Sequence, residues 1–355
     1  MEDFANYDLI IDARSEREYE VDHIPGAINL PVVKNDEYAE VGTTHRDDKH
    51  QAYLIGVAYS HRNIANHIDQ VIGQYPRKTK ILVYCFRGGK RSRLWFDALD
   101  TIGYKVERLK GGWKEYRRWV NEQLTTLPGQ FKYYVLCGPT GCGKTRLLYA
   151  LREVGEQVLD LEELAKHRGS LIGAIPGIQQ PSQKWFDSSI LAELMRFNPA
   201  KPIWLEAESK KIGERQLPTQ LFEAMHSGTP FRIEAPMVER VKLWREDYRH
   251  FEENPEALLN QLQHLRALVG NEELERWQEF VAKRAMPKLF ERLMVVHYDP
   301  AYRRSTLRHF PEIDTAELVL LESLEKDALL KAARTLSSYG SIAKALDDRM
   351  VISSP

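Results

Sequence analysis

Residues 81–92 read ILVYCFRGGKRS. The run ILVY suits a buried strand, and it stops at a cysteine followed by two glycines and three cations. Gly88 and Gly89 let the backbone curl so that successive amides converge on one point, while Arg87, Lys90 and Arg91 add positive charge. Ser92 belongs to the helix expected from RSRLWFDALDTIG (91–103), which Gly103 ends. A thiol between a strand end and a helix start meets unpaired N–H groups, and such surroundings favour the nucleophilic thiolate. Residues 85–92 therefore read as an anion cradle with Cys85 as the nucleophile at its base. The competing reading, a small buried hydrophobe, leaves the glycines and cations without a purpose.

Working outward, DLIID (8–12) reads as a short buried strand ending in an acid. REYEVDHIPGAINLPV (17–32) gives a helical turn, a Pro-Gly turn and a second short strand. Tyr53, Leu54, Val57, Ile64, Ile68 and Ile72 are spaced as the apolar stripe of a helix. VERL (106–109) is a further strand, followed by the helix WKEYRRWVNEQL (113–124). Alternating strands and helices predict a parallel sheet, in which ligands sit at the carboxyl ends of strands, where Cys85 lies. The polar segment TTLPGQ (125–130) is the expected linker.

A second αβ unit starts at once with KYYVLC (132–137), GPTGCGKT (138–145) and the helix RLLYALREVG (146–155). Gly138, Gly143, Lys144 and Thr145 fit G-x-x-x-x-G-K-[ST] in the strand–loop–helix context that defines a P-loop, with Gly141 inside it. Its amides are expected to wrap a diphosphate, Lys144 to neutralise it and Thr145 to be able to hold Mg²⁺; no metal ligand set is certain. PIWLEAES (202–209) offers Glu206 as the acidic partner, with Glu208 beside it, and QVLDLEEL (157–164) offers Asp160, Glu162 and Glu163. Such strand-end acids also cap the following helix. The P-loop recognises a diphosphate and not a base, so its ligand stays open between a nucleotide and another diphosphate. Beyond residue 235 the periodicity becomes long and helical, as in PEALLNQLQHLRALVG (255–270) and NEELERWQEFVAKRAM (271–286). The expected division is 1–125, 130–235 and a mainly helical 236–355 packed on the P-loop domain, in an α/β fold.

The chain of 355 residues is too long for one ordinary core, and 43% apolar residues are normal for a globular protein. No apolar run approaches the roughly 20 residues of a membrane span, and MEDFANYDLI lacks a basic secretory n-region, so a cytoplasmic protein with no membrane partner is expected. Cys85, Cys137 and Cys142 form neither a disulfide framework nor a C-x-x-C pair. A net charge of −1 gives no support for bulk affinity for nucleic acid, but 50 Lys and Arg leave room for a local basic face, so charge alone does not decide whether RNA is a partner.

DARSEREYEVDHIPGAINLP (12–31), YCFRGGKRS (84–92) and GYKVERLKGGWKEY (103–116), in that order, resemble the rhodanese family over roughly residues 5–120. The resemblance implies a parallel-sheet domain in which Asp12 and Arg14 brace the active loop. Small rhodaneses commonly read C-x-x-G-x-R-S; the extra residue here gives C-x-x-G-x-x-R-S, and Cys85–Arg91 takes the C-x5-R spacing with which Cys-dependent phosphatases hold phosphate. Together with the P-loop domain, EVGTTHR (40–46), PSQKWFDSSI (181–190), WLEAESKKIG (204–213), PMVERV (236–241) and YDPAYRRS (298–305) resemble the tRNA 2-selenouridine synthase family across essentially the whole chain.

That resemblance implies conversion of 2-thiouridine at wobble position 34 of tRNA into 2-selenouridine. The sulfur is first alkylated by geranyl diphosphate to S-geranyl-2-thiouridine, and selenophosphate then supplies selenium. It implies selenophosphate in the 85–92 loop, with Cys85 carrying selenium as a cysteine adduct, and geranyl diphosphate in the P-loop. No tightly bound cofactor is expected, the co-substrates being selenophosphate and geranyl diphosphate; tRNA is the expected partner, and an enzyme supplying selenophosphate is a candidate one. RVKLWREDYRH (240–250) and YRRSTLR (302–308) interleave cations and aromatics, so Arg240, Lys242, Arg245, Arg303 and Arg304 are candidate tRNA contacts, although helix packing explains Trp244 and Tyr248 equally well. The rival functions are a Cys-dependent phosphatase using C-x5-R, a P-loop small-molecule kinase fused to a sulfur carrier, and a non-catalytic tRNA-binding module.

Overall fold

A computed structural model of the chain describes residues 4–338. It divides into two compact units. Within the described residues the first comprises 4–125 together with 181–192, and the second comprises 126–180 and 193–338.

In the first unit β1 (Leu9–Asp12), β2 (Ile28–Asn29), β3 (Lys80–Tyr84) and β4 (Lys105–Arg108) form a four-stranded sheet in the order β2-β1-β3-β4. Every pairing is parallel, with Leu9 opposite Ile81 and Ile81 opposite Val106. The inner strands β1 and β3 are apolar because both faces are covered. Ile11, Ile81, Val83, Trp95 and Leu99 form the core beneath Cys85. The segment around EVGTTHR folds as the helix Asn35–Asp47, followed by the helix Lys49–Gln70.

The stripe expected on that second helix is only partly buried. Ile64 is in the core, but Tyr53, Leu54 and Val57 are 54%, 54% and 51% exposed. The buried positions are Ala52, Ser60, Asn63 and Ile64. Asn63 fixes this rotation: its side-chain amide donates to the Val32 carbonyl at 3.2 Å and to Glu37 at 2.6 Å, which turns the polar position inward.

The segment expected as a linker is a continuation of helix. Gly112–Thr126 runs directly into a single 3₁₀ turn, Leu127–Gln130, in which Pro128 is buried. Residues 181–192 join the first unit through charge and hydrogen bonding. Arg117 donates to Asp187 at 2.9 Å and to the Ser188 hydroxyl at 2.9 Å, and Ser188 donates to buried Asp22 at 2.8 Å.

In the second unit β5 (Tyr133–Cys137), β6 (Gln157–Val158) and β7 (Ile203–Glu206) are followed by the hairpin β8 (Lys211–Ile212) and β9 (Arg215–Gln216). With β10 (Thr229–Glu234) and β11 (Glu317–Leu320) the main sheet has the order β11-β10-β5-β7-β6, all parallel. The P-loop follows the central strand β5, and Glu206 ends its neighbour β7. Helices including Met237–Asp247, Asn271–Ala282 and Met286–Leu293 build a second core around Trp244, Trp277 and Phe290. The chain then returns to the sheet as β11, because Leu318 and Leu320 follow a turn and pair with Arg232 and Glu234. No helix of the described residues is long and apolar enough to cross a membrane.

Candidate active sites

The 85–92 loop closes on its own cysteine. Cys85 is 3% exposed, and its sulfur accepts the Gly89 N–H at 3.2 Å. The Ser92 hydroxyl lies 3.3 Å from that sulfur and donates to the Gly89 carbonyl at 3.1 Å. Gly88 has a φ of +68°, a conformation that glycine supplies without strain. Across the loop, a Cβ on Gly112 would lie 2.1 Å from the Cys85 carbonyl oxygen, so the 111–112 turn can approach only as glycine.

The three cations are placed differently. Arg91 is half-buried and forks onto Glu18, at 2.6 and 3.3 Å. Burial works to raise the Glu18 carboxyl, but the Arg91 hydrogen bond and charge hold it below the usual carboxylate range. Lys90 rests its ammonium 4.6 Å from the Tyr53 ring centre, and Arg87 lies 5.7 Å from that of Phe86. Behind the loop Arg14 and Asp12 form a fully buried pair, Nη2 to Oδ2 at 2.5 Å, and Arg14 also donates to the Asp22 carbonyl at 2.7 Å. The Arg14 guanidinium stacks 4.9 Å from the Trp113 ring centre. This pair touches the walls of the loop's supports and not the thiol.

In the second unit the P-loop requires glycine by space at Gly138 and by a positive φ, 78° and 87°, at Gly141 and Gly143. A Cβ on Gly138 would meet the Ile233 carbonyl oxygen at 2.4 Å, on Gly141 the Trp244 ring at 2.9 Å, and on Gly143 the Leu324 side chain at 2.5 Å. Lys144 donates to the Gly138 carbonyl at 2.9 Å and lies 3.9 Å from Glu206. The Thr145 hydroxyl donates to Glu206 at 2.6 Å. The Gly138 amide donates to the Tyr302 hydroxyl, so YDPAYRRS contributes to the loop.

Around these residues a cavity of about 1120 Å³ is lined by the P-loop, by carboxylates and by aromatic side chains such as Tyr149, Tyr248 and Tyr302. Glu162, Glu206 and Glu208 come together so that their ligand atoms all lie within 4.8 Å of one another. Burial and the neighbouring carboxylates push Glu162 well above the usual range, and burial with Glu206 pushes Glu208 up to about 7. Three such oxygens beside the Thr145 hydroxyl are a hard donor set able to hold Mg²⁺. Asp160 instead caps the helix Leu161–Ala165, accepting the Glu163 N–H at 2.9 Å.

The candidate tRNA contacts divide. Arg240 is 5% exposed, with its guanidinium on the Thr140 carbonyl and on Asp299 at 2.6 and 2.9 Å; it braces the P-loop from within. Trp244 and Tyr248 are likewise buried, so packing explains both. Lys242, Arg245 and Arg303 are exposed and each is paired with an acid: Glu325, Glu252 and Asp314 respectively. Arg304 is exposed. Sequence reasoning missed His167 and Arg168, which line the cavity. The available signal was KHRGSLIGAIPG (166–177), a second stretch combining glycines with cations.

Residues 131–316 match the family described as the tRNA 2-selenouridine synthase AAA domain, and residues 1–118 match the rhodanese-like domain. A tRNA 2-selenouridine synthase of Nitrosomonas europaea is 32% identical over 67% of this chain and 63% of its own length. One from Hydrogenovibrio crunogenus is 34% identical over 67% of each chain, and one from Chromohalobacter salexigens is 30% identical over 83% of this chain and 87% of its own. The chain thus spans less than two thirds of the Nitrosomonas europaea relative.

Proposed function

Because this chain belongs to the tRNA 2-selenouridine synthase family, we propose that it replaces the sulfur of a 2-thiouridine in tRNA with selenium, using its two anion sites for two successive steps. The observation that carries the proposal is the presence in one chain of a glycine-walled thiol loop and a P-loop cavity lined by carboxylates.

The first step belongs to the P-loop. The thiocarbonyl sulfur attacks C1 of geranyl diphosphate, the C–O bond breaks and pyrophosphate leaves, with Lys144 and the loop amides receiving its charge. Mg²⁺, when held by Thr145 and the three glutamates, supplies further neutralisation of the diphosphate. Alkylation turns a poor leaving group into a thiol that can depart.

The second step belongs to the Cys85 loop, which holds the phosphate of selenophosphate. Selenium in that donor is already at the selenide level, so carrying it as a Cys85–selenium adduct, as the resemblance implies, would need an oxidant. A balanced course has selenium attack C2 of the alkylated base while the C2–S bond breaks and geranyl thiol leaves. The Cys85 thiolate then attacks phosphorus, the P–Se bond breaks to give 2-selenouridine, and water hydrolyses the S-phosphocysteine. The C-x5-R spacing suits attack at phosphorus.

The test is nucleoside mass spectrometry of 2-thiouridine-containing tRNA incubated with the protein, geranyl diphosphate and selenophosphate. Appearance of 2-selenouridine is expected. Unchanged tRNA under every condition contradicts the proposal and favours assays for phosphatase or kinase activity.

A further inference from the structure

We infer that Arg168 is the second anion-binding cation of the P-loop cavity, facing the diphosphate of the bound ligand together with Lys144; the inference rests on the diphosphate reading given above.

Four cations line the cavity: Lys144, Arg146, Lys166 and Arg168. Arg146 is engaged by Glu246 at 2.6 Å and Lys144 by the Gly138 carbonyl at 2.9 Å. Lys166 is exposed at the end of a helix. Arg168 differs, because its Nη1 is buried and has no hydrogen-bond partner. A buried guanidinium N–H left without an acceptor costs free energy, and a rotation of the side chain into the cavity that brought it to a phosphate oxygen would recover that cost.

The residue is mounted with more care than a solvated surface arginine needs. Its backbone N–H donates to the Gly173 carbonyl at 2.9 Å, and the Arg168 carbonyl accepts the Ser170 N–H at 2.6 Å. His167 and Ala174 form a bridge that closes the turn. The guanidinium carbon lies 5.2 Å from the Tyr248 ring centre, and the Tyr248 hydroxyl is 3.2 Å from the Ser170 hydroxyl. Stacking of this kind fixes a guanidinium plane while leaving its donors free. Gly169, with φ +65°, folds the turn against the carboxylates: a Cβ there would lie 2.7 Å from Glu162 and 3.0 Å from Glu208. The turn carrying Arg168 is therefore packed on the same carboxylate cluster that Thr145 reaches through Glu206. Asp247, the acid whose charge Arg168 feels, lines the cavity too and lies 3.9 Å from Arg146.

Isothermal titration of inorganic pyrophosphate, with Mg²⁺ present, into the full chain tests the assignment. Arg168→Ala and Arg168→Gln are expected to weaken binding at least ~10-fold, with Arg168→Lys recovering only part because one ammonium cannot fork. Thermal melting without ligand should leave the Gln and Lys variants near wild type, which separates lost binding from lost folding. Steady-state kinetics should show the loss in KM for the diphosphate donor. Wild-type pyrophosphate affinity in Arg168→Gln, with Lys144→Ala losing it, overturns the Arg168 assignment alone. A wild-type chain that binds no pyrophosphate overturns the assignment and the diphosphate reading together.

Discussion

The Thr145 hydroxyl donates to Glu206 at 2.6 Å, joining the P-loop to the end of the neighbouring strand β7. The same carboxylate lies 3.9 Å from the Lys144 ammonium and belongs to the cluster with Glu162 and Glu208. One residue thus touches the hydroxyl, the ammonium and the hard-oxygen set.

Glu206→Gln keeps the shape and removes the charge. Pyrophosphate titrations with and without Mg²⁺ should show the Mg²⁺-dependent gain in affinity reduced at least ~10-fold, with Mg²⁺-free binding changed much less. An unaltered Mg²⁺ dependence would remove Glu206 from the metal set.

Glu208 makes that site pH-dependent. Burial and Glu206 raise it to about 7, so at pH 6 it is mostly protonated and at pH 8 mostly ionised. Since a metal takes the ionised form, Mg²⁺ affinity should climb about tenfold from pH 6 to pH 8, and Glu208→Gln should flatten the profile. The stability effect has the opposite sign. The folded chain binds the proton more tightly than an unfolded glutamate of pKa about 4.3, so stability is lost as pH rises from there through 7. Glu208→Gln should therefore raise the metal-free melting temperature at pH 8, by a few degrees.

Asp12 and Arg14 are buried at 0% and 1% exposure and satisfy each other. Removing one partner leaves a buried charge, so Asp12→Ala should cost about 3–5 kcal/mol in chemical denaturation. A loss below about 1 kcal/mol would show that the pair does not brace the first unit.

Gly112→Ala tests the wall of the thiol loop. The added Cβ would fall 2.1 Å from the Cys85 carbonyl oxygen, which forces the loop to move. Selenium transfer should drop at least ~100-fold while pyrophosphate binding in the second unit stays at the wild-type value.

Much of this was legible because both anion loops are local. Cys85–Ser92 and Gly138–Thr145 each carry their glycines, cations and flanking strand within a dozen residues, and the parallel sheets follow from the alternation of elements. Contacts made at long range were not legible. Glu162, Glu206 and Glu208 meet only when the ends of the 157–164 and 202–209 segments converge, and nothing near Glu162 distinguished it from Glu163. The exposed Tyr53, Leu54 and Val57 follow from Asn63 turning inward, which periodicity does not register. Arg240 looked like an RNA contact because its neighbours alternate charge with aromatics. Its burial depends on Thr140, a hundred residues away.

The central claim is a division of labour, and nucleoside mass spectrometry of 2-thiouridine tRNA treated with Cys85→Ala and Lys144→Ala tests it most directly. Cys85→Ala, supplied with both co-substrates, should accumulate S-geranyl or Se-phosphoryl nucleoside without 2-selenouridine, whereas Lys144→Ala should leave 2-thiouridine unreacted. Full conversion to 2-selenouridine by Cys85→Ala, or geranylation at the wild-type rate by Lys144→Ala, would contradict that division of labour.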